Sequence, residues 1–270
     1  MPEGPETHYN ADRLDLLLGG RTLQRLAFSD PALAQRQEQL QGRGVLGVRA
    51  RGKATLIDFD NDLTLYTHSQ LFGYWRFGTR QGHVPAGEPR VLLASERGWA
   101  ALYLAPKVEV WPSATIEIEQ SYLAKLGPDV LDPAVRPEML AARLHQPAFR
   151  RRSLAALLLQ QEFAAGMGNY LRSEVLFDAA LLATHVAGAL DAGQTQRLAR
   201  ALLEIPRRAY RAKFRDAPPP HGKDYLAHTA RTFRFKVFER DGLPCPRCGA
   251  TIVIDRLAGR RIYSCPGCQH

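Results

Sequence analysis

The sequence of 270 residues predicts an α+β protein of more than one domain, with a β-rich N-terminal half followed by helices and a small cysteine-bearing unit. Three observations predict this class. Short apolar segments rich in β-branched and aromatic residues recur up to residue 111, helical periodicity replaces them after Gly127-Pro128-Asp129, and all four cysteines lie beyond residue 244. Many short strands at this spacing are typical of a sandwich or a barrel.

The first element is a helix that begins near Pro5. Proline suits the first helical position, and Glu6 places a carboxylate in the first turn, where negative charge is favoured. Leu14 and Leu18 are one turn apart, and Gly19-Gly20 is expected to end the helix.

Eight segments after this helix are predicted strands, and turn-forming residues separate them. They are Thr22–Phe28, Val45–Ala50, Thr55–Phe59, Leu63–His68, Tyr74–Phe77, Val91–Ser95, Ala101–Leu104 and Glu109–Trp111.

Four helices are predicted beyond the Gly-Pro-Asp linker. They are Pro137–Gln146, Ser153–Ala164, Asn169–Ala180 and Gln194–Lys213. Pro206 is expected to end or kink the last of them, because proline lacks a backbone N–H and clashes with the preceding turn. Pro218-Pro219-Pro220 then separates the helices from the cysteine-bearing unit.

The excess positive charge lies in the last quarter of the chain. Residues 197–270 contain 16 Lys and Arg against 6 Asp and Glu, whereas the other 196 residues contain 20 against 21. A basic face can simply be solvated. It can also bind a polyanion, because phosphate neutralisation dominates affinity for nucleic acids.

No run approaches the ~18 consecutive apolar residues of a membrane helix. The N-terminus carries acidic residues and lacks the basic-then-apolar pattern of a signal peptide, so a cytosolic protein is expected.

The cysteines form two C-x-x-C pairs, Cys245/Cys248 and Cys265/Cys268, separated by sixteen residues. This spacing predicts a zinc ribbon in which four thiolates complete a tetrahedron. Such a site has no open coordination position, so the single Zn²⁺ is expected to be structural. Disulfides are the alternative, but a reducing compartment disfavours them.

Pro2 is a candidate nucleophile. Initiator methionine is normally removed before proline, which would leave a secondary amine at the terminus. A terminal amine titrates near ~8 and a lysine near ~10.4, so the former is far more often unprotonated at neutral pH. Such an amine can attack a sugar aldehyde carbon, and Glu3 beside it is a candidate proton-transfer partner. An ordinary N-terminal helix explains the same residues.

Two further positions have a functional and a structural interpretation. Gly168-Asn169 lies between two helices, where Asn169 is suited to cap the next helix and a phosphate could bind at the helix N-terminus. Lys53 lies in a turn between two predicted strands, where an exposed lysine is common.

Two loops carry candidate DNA contacts. Gln70-Leu71-Phe72 follows a strand and could be either core or the exposed apolar wedge that base-extruding enzymes require. Arg256, Arg260 and Arg261 lie between the cysteine pairs on an expected hairpin, where arginine can form two bonds to one phosphate or merely solubilise a turn.

Together these motifs resemble the formamidopyrimidine-DNA glycosylase/endonuclease VIII family, in the family's order and over the whole chain. They are Pro2-Glu3-Gly4-Pro5-Glu6, the Lys53 turn, Gly168-Asn169 and the four-cysteine finger. The similarity is greater to bacterial endonuclease VIII, to judge from Asn61–Tyr66, Gly127–Pro133, Phe233–Phe238 and Cys265–His270.

The resemblance implies a bifunctional DNA glycosylase and lyase acting on damaged double-stranded DNA. Pro2 would attack C1′ of the damaged nucleotide and form an iminium, and the strand would be cleaved by β,δ-elimination. Glu3 would protonate the ring oxygen or shuttle protons, and Glu6 would support the network around the terminus. The groups that match the family's phosphate contacts and void-filling loop are Lys53, Asn169, Arg260, Gln70, Leu71 and Phe72.

The resemblance also implies the domain plan. A β-sandwich over residues 1–118 would be joined by a linker, 119–134, to a helix–two-turns–helix domain, 135–222, and a zinc-finger subdomain, 223–270. DNA would cross the cleft between the domains. The protein is expected to be a cytoplasmic monomer that acts on the nucleoid and not on membranes.

The Gln70-Leu71-Phe72 triplet resembles the loop of the family's pyrimidine branch, and this resemblance implies oxidised pyrimidines as substrates. An oxidised-purine glycosylase is the first alternative, because residues 213–232 depart from the endonuclease VIII pattern. A non-catalytic zinc-ribbon DNA-binding protein is the second. Gln160, where the family commonly has aspartate, is another departure.

Overall fold

The computed structural model describes residues 2–80, 82, 84, 87–213 and 233–270. These residues form two compact units. The first contains Pro2 and Glu6–Ala124, and the second contains Glu3–Pro5 and the described residues from Lys125 onwards. The segment 213–232 that departs from the endonuclease VIII pattern, with His221 and His228, lies almost entirely outside the described residues.

Helix α1, Gly4–Leu18, begins one residue before the predicted proline. Leu14 and Leu18 are fully buried, as their spacing of one turn predicts. Gly20, with φ 69°, takes the left-handed conformation that glycine adopts without steric cost after a helix.

All of the predicted strands are present in the first unit, with bounds that differ by a few residues. The first predicted strand is split in two. The strands are β1 (Arg21–Thr22), β2 (Arg25–Phe28), β3 (Gly44–Arg51), β4 (Ala54–Phe59), β5 (Leu63–His68), β6 (Tyr74–Thr79), β7 (Val91–Ser95), β8 (Gly98–Tyr103) and β9 (Lys107–Pro112).

These strands form two antiparallel sheets, ordered β1-β3-β4-β5-β9 and β2-β7-β8-β6. Ile57 and Leu65 from the first sheet and Trp75 and Leu93 from the second belong to one buried cluster, which Leu14 of α1 also joins. The sheets therefore face each other across a shared core, and the open choice between sandwich and barrel resolves to a sandwich.

Short helices complete the first unit and lead into the second. They are α2 (Ala34–Leu40) and α3 (Ile116–Glu119), with 3₁₀ turns at Pro31–Leu33 and Leu123–Lys125.

The described part of the second unit is helical and ends in a hairpin. Its elements are α4 (Pro137–Leu144), α5 (Leu154–Leu157), α6 (Asn169–Ala179), a 3₁₀ turn (Ala187–Ala189), α7 (Ala192–Ala212), β10 (Val253–Leu257) and β11 (Arg260–Ser264).

One helix prediction was wrong in extent. The predicted helix over Ser153–Ala164 is confined to the single turn of α5, after which the chain forms turns. Helix α7 agrees with the predicted Gln194–Lys213 to within two residues, and it does not end at Pro206. Leu198, Leu202 and Ile205 recur on its buried face, and their burial compensates for the backbone hydrogen bond that proline removes.

Strands β10 and β11 form an antiparallel hairpin, in which Leu257 pairs with Arg260 across a two-residue turn. Ala258 and Gly259 in this turn both have positive φ, 53° and 72°, as a type I′ turn requires. In the described part of the chain, no helix has the length and apolar character needed to cross a membrane.

Candidate nucleic-acid interface and active site

The Glu3 side chain is buried at the N-terminus of α6. One carboxylate oxygen accepts the backbone N–H of Tyr170 at 2.9 Å, and the other accepts that of Leu171 at 3.2 Å. A helix N-terminus has N–H groups without intrahelical partners and favours negative charge. Both carboxyl oxygens of Glu3 are therefore engaged as acceptors at this helix terminus.

Glycine at position 168 makes this approach possible. A Cβ atom there would lie 2.3 Å from Cδ of Glu3, although the backbone of Gly168 is extended and accessible to any residue. The loop before it is fixed to the start of α1, because the N–H of Gly4 donates to the carbonyl of Gly166 at 2.8 Å. Glu3 and Gly4 are thus bound to the Gly166–Leu171 segment of the second unit, although the two segments are far apart in the sequence.

Gln161 holds the same loop and was not identified from the sequence. Its side-chain oxygen accepts the N–H of Gly166 at 3.1 Å, and its amide nitrogen donates to the carbonyl of Met167 at 2.9 Å. A glutamine between helices gives no sequence signal for such a role, since the residue type is common on surfaces.

Asn169 does not cap α6, so the capping interpretation was wrong. The N-cap is Gly168, which has no side chain, and Asn169 is the first residue of the helix. The helix N–H groups are satisfied by Glu3 instead. The side-chain oxygen of Asn169 accepts from Nη2 of Arg172 at 2.8 Å, which orients its NH₂ group as a donor.

Glu174 is a second buried acid on α6 that sequence reasoning missed. It accepts the backbone N–H groups of Lys236, Val237 and Phe238 at 2.9–3.1 Å. Burial raises the pKa of the Glu174 carboxyl, and the three N–H groups act in the opposite direction. The contacts anchor the segment that precedes the cysteines to α6.

The four cysteines lie together, as their spacing predicts. Their sulfur atoms are within 4.8 Å of one another, with Cys245 and Cys268 at 3.9 Å and Cys248 and Cys265 at 3.4 Å. Zn–S bonds of about 2.3 Å in a tetrahedron require sulfur atoms about 3.8 Å apart. The cysteines are free, so the disulfide alternative was wrong, and the four thiolates fit a metal ion.

Arg260 is the first residue of β11, beside the type I′ turn, and it is exposed together with Arg256 and Arg261. A two-residue turn is rigid, so the exposed guanidinium is presented from a fixed backbone. Its exposure leaves the guanidinium accessible to a phosphate group.

Lys53 is buried, with 7% of its surface exposed, so its structural interpretation as an exposed turn lysine was wrong. It follows Gly52, whose φ of 60° suits the first position of a two-residue turn between β3 and β4. The backbone N–H of Lys53 donates to the hydroxyl of Tyr122 at 2.9 Å. This contact ties the turn to the end of the first unit.

The Gln70-Leu71-Phe72 loop is exposed. Leu71 has 51% and Phe72 has 72% of its surface exposed, so the core interpretation was wrong for both. Gly73 closes the loop by donating to the carbonyl of Ser69 at 2.8 Å, in a turn too tight for a Cβ atom. Two large apolar side chains are thus presented to solvent from a closed turn, as a wedge requires.

His68 connects the Lys53 turn to this loop and was not identified from the sequence. Its Nδ1 accepts the N–H of Gln70 at 3.1 Å, and its ring packs edge-on against Tyr122 with centroids 4.8 Å apart. Burial, and secondarily the charge of Lys53, lowers the pKa of His68 to about 4. The imidazole is therefore neutral at physiological pH and able to accept the Gln70 bond.

Because the pKa of His68 is lower in the folded protein than the ordinary ~6.5, the unfolded chain binds the extra proton between about pH 6.5 and 4. We expect the free energy of unfolding to fall as pH falls through this window, by at most ~1.4 kcal/mol per pH unit from this group. Urea unfolding at pH 7 and pH 5 measures the difference. His68→Asn keeps an acceptor but does not titrate, so it should lose less stability; an equal loss in both proteins would contradict the assignment.

Pro2 and Glu6 are both buried. Glu6 lies in the first turn of α1, as predicted.

The Gln160 side chain lies against Arg152, whose Nε and Nη1 donate to the amide oxygen at 3.2 and 2.9 Å when the amide is oriented to satisfy both groups. An amide at this position therefore supplies a neutral acceptor where aspartate would form an ion pair.

Two family models match the chain. The formamidopyrimidine-DNA glycosylase N-terminal domain matches residues 1–107, and the formamidopyrimidine-DNA glycosylase H2TH domain matches residues 126–215. The chain is 44% identical to Endonuclease 8 of Escherichia coli and 43% identical to Endonuclease 8 of Shigella sonnei, in each case over the full length of both chains.

Among solved structures, the fold matches that of Lactococcus lactis Fpg (MutM). A complex with DNA containing an oxidised pyrimidine gives a TM-score of 0.82 at 22% identity, with both chains fully covered. A complex with DNA containing Fapy-dG gives 0.82 at 21% identity, covering 98% of this chain and 99% of that one. The chain therefore belongs to the formamidopyrimidine-DNA glycosylase/endonuclease 8 family of DNA glycosylases and AP lyases, enzymes of base-excision repair that act on damaged double-stranded DNA.

Proposed function

We propose that this enzyme removes oxidised pyrimidines from duplex DNA and cleaves the strand by β,δ-elimination. The observation that carries the substrate assignment is the exposed Gln70-Leu71-Phe72 loop, whose triplet resembles the pyrimidine branch of the family. The full-length identity of 44% to Endonuclease 8 supports the same branch. Leu71 and Phe72 would fill the gap left by the extruded nucleotide and offset its unstacking cost of a few kcal/mol.

The proposed nucleophile is the amine of Pro2 after removal of Met1. The nitrogen lone pair forms a bond to C1′. At the same time the glycosidic bond breaks, and the electron pair of that bond leaves with the base. The nitrogen then loses its proton, the C1′–O4′ bond opens to form the iminium, and O4′ takes a proton. Removal of a C2′ proton expels the 3′ phosphate, and removal of a C4′ proton from the conjugated iminium then expels the 5′ phosphate. A lysine nucleophile must have its pKa lowered by the protein before it can take this covalent step, and a terminal secondary amine does not depend on that activation.

Glu3 is the proposed proton carrier for these steps, and Glu6 is proposed to support the network around the terminus. The two backbone N–H bonds that Glu3 accepts stabilise its carboxylate form. We therefore expect Glu3 to take up a proton before it donates one to O4′ or to the leaving base.

Lys53, Asn169 and Arg260 are the proposed phosphate contacts. The exposure of Arg260 and the donor orientation of the Asn169 amide support their assignment. The domain plan of this proposal is the predicted one: a catalytic sandwich domain (1–118), a linker (119–134), a helix–two-turns–helix domain (135–222) and a zinc-finger subdomain (223–270).

One Zn²⁺ is the proposed occupant of the four-cysteine site, held by Cys245, Cys248, Cys265 and Cys268. The sulfur spacing supports it. Four thiolates leave no position for substrate, so the ion would stabilise the finger and take no part in the reaction.

Arg260→Ala should weaken binding to abasic DNA by ~10-fold or more, because one charge-assisted contact is lost, while one zinc per chain is retained. Fluorescence anisotropy across a salt series and zinc analysis measure the two quantities. The neighbouring exposed Arg256→Ala is the matched control. Loss of zinc on the Arg260 change would show that this arginine acts structurally.

Side-by-side excision from duplexes containing dihydrouracil and 8-oxoguanine tests the substrate assignment. Single-turnover rates should favour dihydrouracil by ~10-fold or more, which corresponds to a difference of at least ~1.4 kcal/mol in activation free energy, within the range that pocket contacts supply. A preference for 8-oxoguanine would establish the oxidised-purine alternative instead.

A further inference from the structure

Arg172 is a buried cation between two elements of the second unit that carry proposed phosphate contacts. None of its surface is exposed. Its Nη2 donates to the side-chain oxygen of Asn169 at 2.8 Å and to the carbonyl of Arg261 at 3.1 Å. Its Nη1 donates to the carbonyl of Ala155 at 2.8 Å and, at 3.4 Å, to that of Leu257.

These acceptors lie on both sides of Arg260. Leu257 pairs with Arg260 across the hairpin turn, and Arg261 follows it directly. Asn169 is three residues before Arg172, on the same face of α6. One planar guanidinium therefore bonds to the Asn169 amide and to the backbone on either side of Arg260.

A purely stabilising role does not account for a charge at this position. Burial lowers the pKa of Arg172 to about 10, and the charge of Arg260 adds to this effect while that of Glu3 opposes it. Replacement of buried ion pairs by apolar side chains of similar volume is often neutral for stability, so stability alone does not require a buried charge. What apolar side chains cannot reproduce is a set of directed bonds that holds two elements in one geometry.

We propose that Arg172 is a positioning residue that fixes the Asn169 amide and the Arg260 hairpin tip at a constant spacing, and so presents two phosphate contacts as one unit. This inference rests on the proposed phosphate contacts of Asn169 and Arg260. Lysine cannot substitute, because a single ammonium lacks the rigid fork that reaches acceptors on both elements.

The test compares Arg172→Lys with Arg207→Lys. Arg207 also bonds two backbone carbonyls of the second unit, those of Asp132 and Val135, each at 2.9 Å, but has no proposed contact with DNA. Affinity is measured on a duplex carrying a non-cleavable tetrahydrofuran abasic analogue. Arg172→Lys should weaken binding by ~10-fold or more, whereas Arg207→Lys should change it by less than ~2-fold.

A double-mutant cycle with Asn169→Ala separates positioning from independent stabilisation. If Arg172 acts through Asn169, the double variant should bind within ~2-fold of the weaker single variant; effects that multiply would overturn the inference. Hydrogen exchange gives a second readout. Exchange should accelerate in the peptide 257–264 of Arg172→Lys but not of Arg207→Lys, and acceleration throughout the unit with a matching fall in melting temperature would indicate a structural role only.

Two further outcomes keep the inferences apart. Unchanged binding by both Asn169→Ala and Arg260→Ala would overturn the proposed phosphate contacts and this inference with them. Weakened binding by those variants, with Arg172→Lys like the unsubstituted protein, would overturn this inference alone. Arg172→Gln, which keeps a donor without charge, is expected to weaken binding similarly and replaces the lysine variant if that protein does not fold.

Discussion

A Pro2→Leu variant should form no borohydride-trapped complex with DNA that contains an abasic site, and its single-turnover base excision should fall by ~1,000-fold or more. Bulky residues in second position retain the initiator methionine, so the variant would carry a primary amine one residue away from the proposed position. The reaction needs a nitrogen lone pair placed to attack C1′, and misplacement by an ångström can cost ~100-fold by itself. Gel shift of the trapped complex and mass spectrometry of its linked peptide measure the result.

Pro2→Gly is the matched control, because methionine is removed before glycine and a terminal amine remains in register. It should retain trapping at a reduced rate, as a primary amine replaces a secondary one. Active protein that retains Met1, or full trapping by Pro2→Leu, would refute the assignment of the nucleophile. Trapping through a lysine peptide would transfer the role to that side chain.

The strands were predictable because their pattern is local. Leu63–His68 is a short segment with β-branched and aromatic residues that follows the Asp60-Asn61-Asp62 turn signal, and β5 has the predicted bounds. Strand order was not predictable in the same way, because β9 pairs with β5 and β7 with β2 across long stretches of chain. Such pairing depends on which faces bury together and not on the residues of one strand.

The helix predictions failed where tertiary packing overrides local pattern. The apolar residues of 153–164 satisfy helical periodicity, yet the segment forms one turn of helix and then serves as the scaffold for the Gly166 loop. Pro206 breaks a local rule, yet α7 continues because its buried face is extensive.

The residues of the candidate site were likewise predictable where their partners are close in the sequence and not where their partners are distant. The cysteine pairs were predictable because each ligand pair lies within four residues. Arg172, by contrast, bonds to carbonyl groups 85 and 89 residues away, and Glu174 bonds to N–H groups more than 60 residues away. From the sequence alone, a charged side chain on a helix is predicted to be solvent-exposed, because partners that are distant in the sequence are not visible in the local pattern.

Glu3→Gln should lower the rate of base excision by ~100- to 10,000-fold, the usual contribution of a positioned proton-transfer group. The amide keeps one acceptor oxygen, but its NH₂ would face the N–H of Tyr170 or Leu171, so one of the two anchoring bonds is lost. Binding to a tetrahydrofuran duplex should change by less than ~3-fold, because Glu3 is not a proposed phosphate contact. Single-turnover kinetics and anisotropy separate the two effects, and a proportionate loss of binding would contradict a role in proton transfer.

Gly168→Ala should reproduce the kinetic defect without altering the carboxylate itself. The added Cβ would stand 2.3 Å from Cδ of Glu3, while the extended backbone at this position accepts alanine without strain, so the expected response is displacement of the acid. Displacement of a reacting group by about 1 Å lowers the rate by ~100-fold. Gly47→Ala, where the new Cβ meets only Asp15 Oδ1 at 3.8 Å, is the control and should leave the rate unchanged. If Gly168→Ala excises bases normally, then the position of Glu3 against α6 is not what the reaction requires, and the proton carrier must be sought elsewhere.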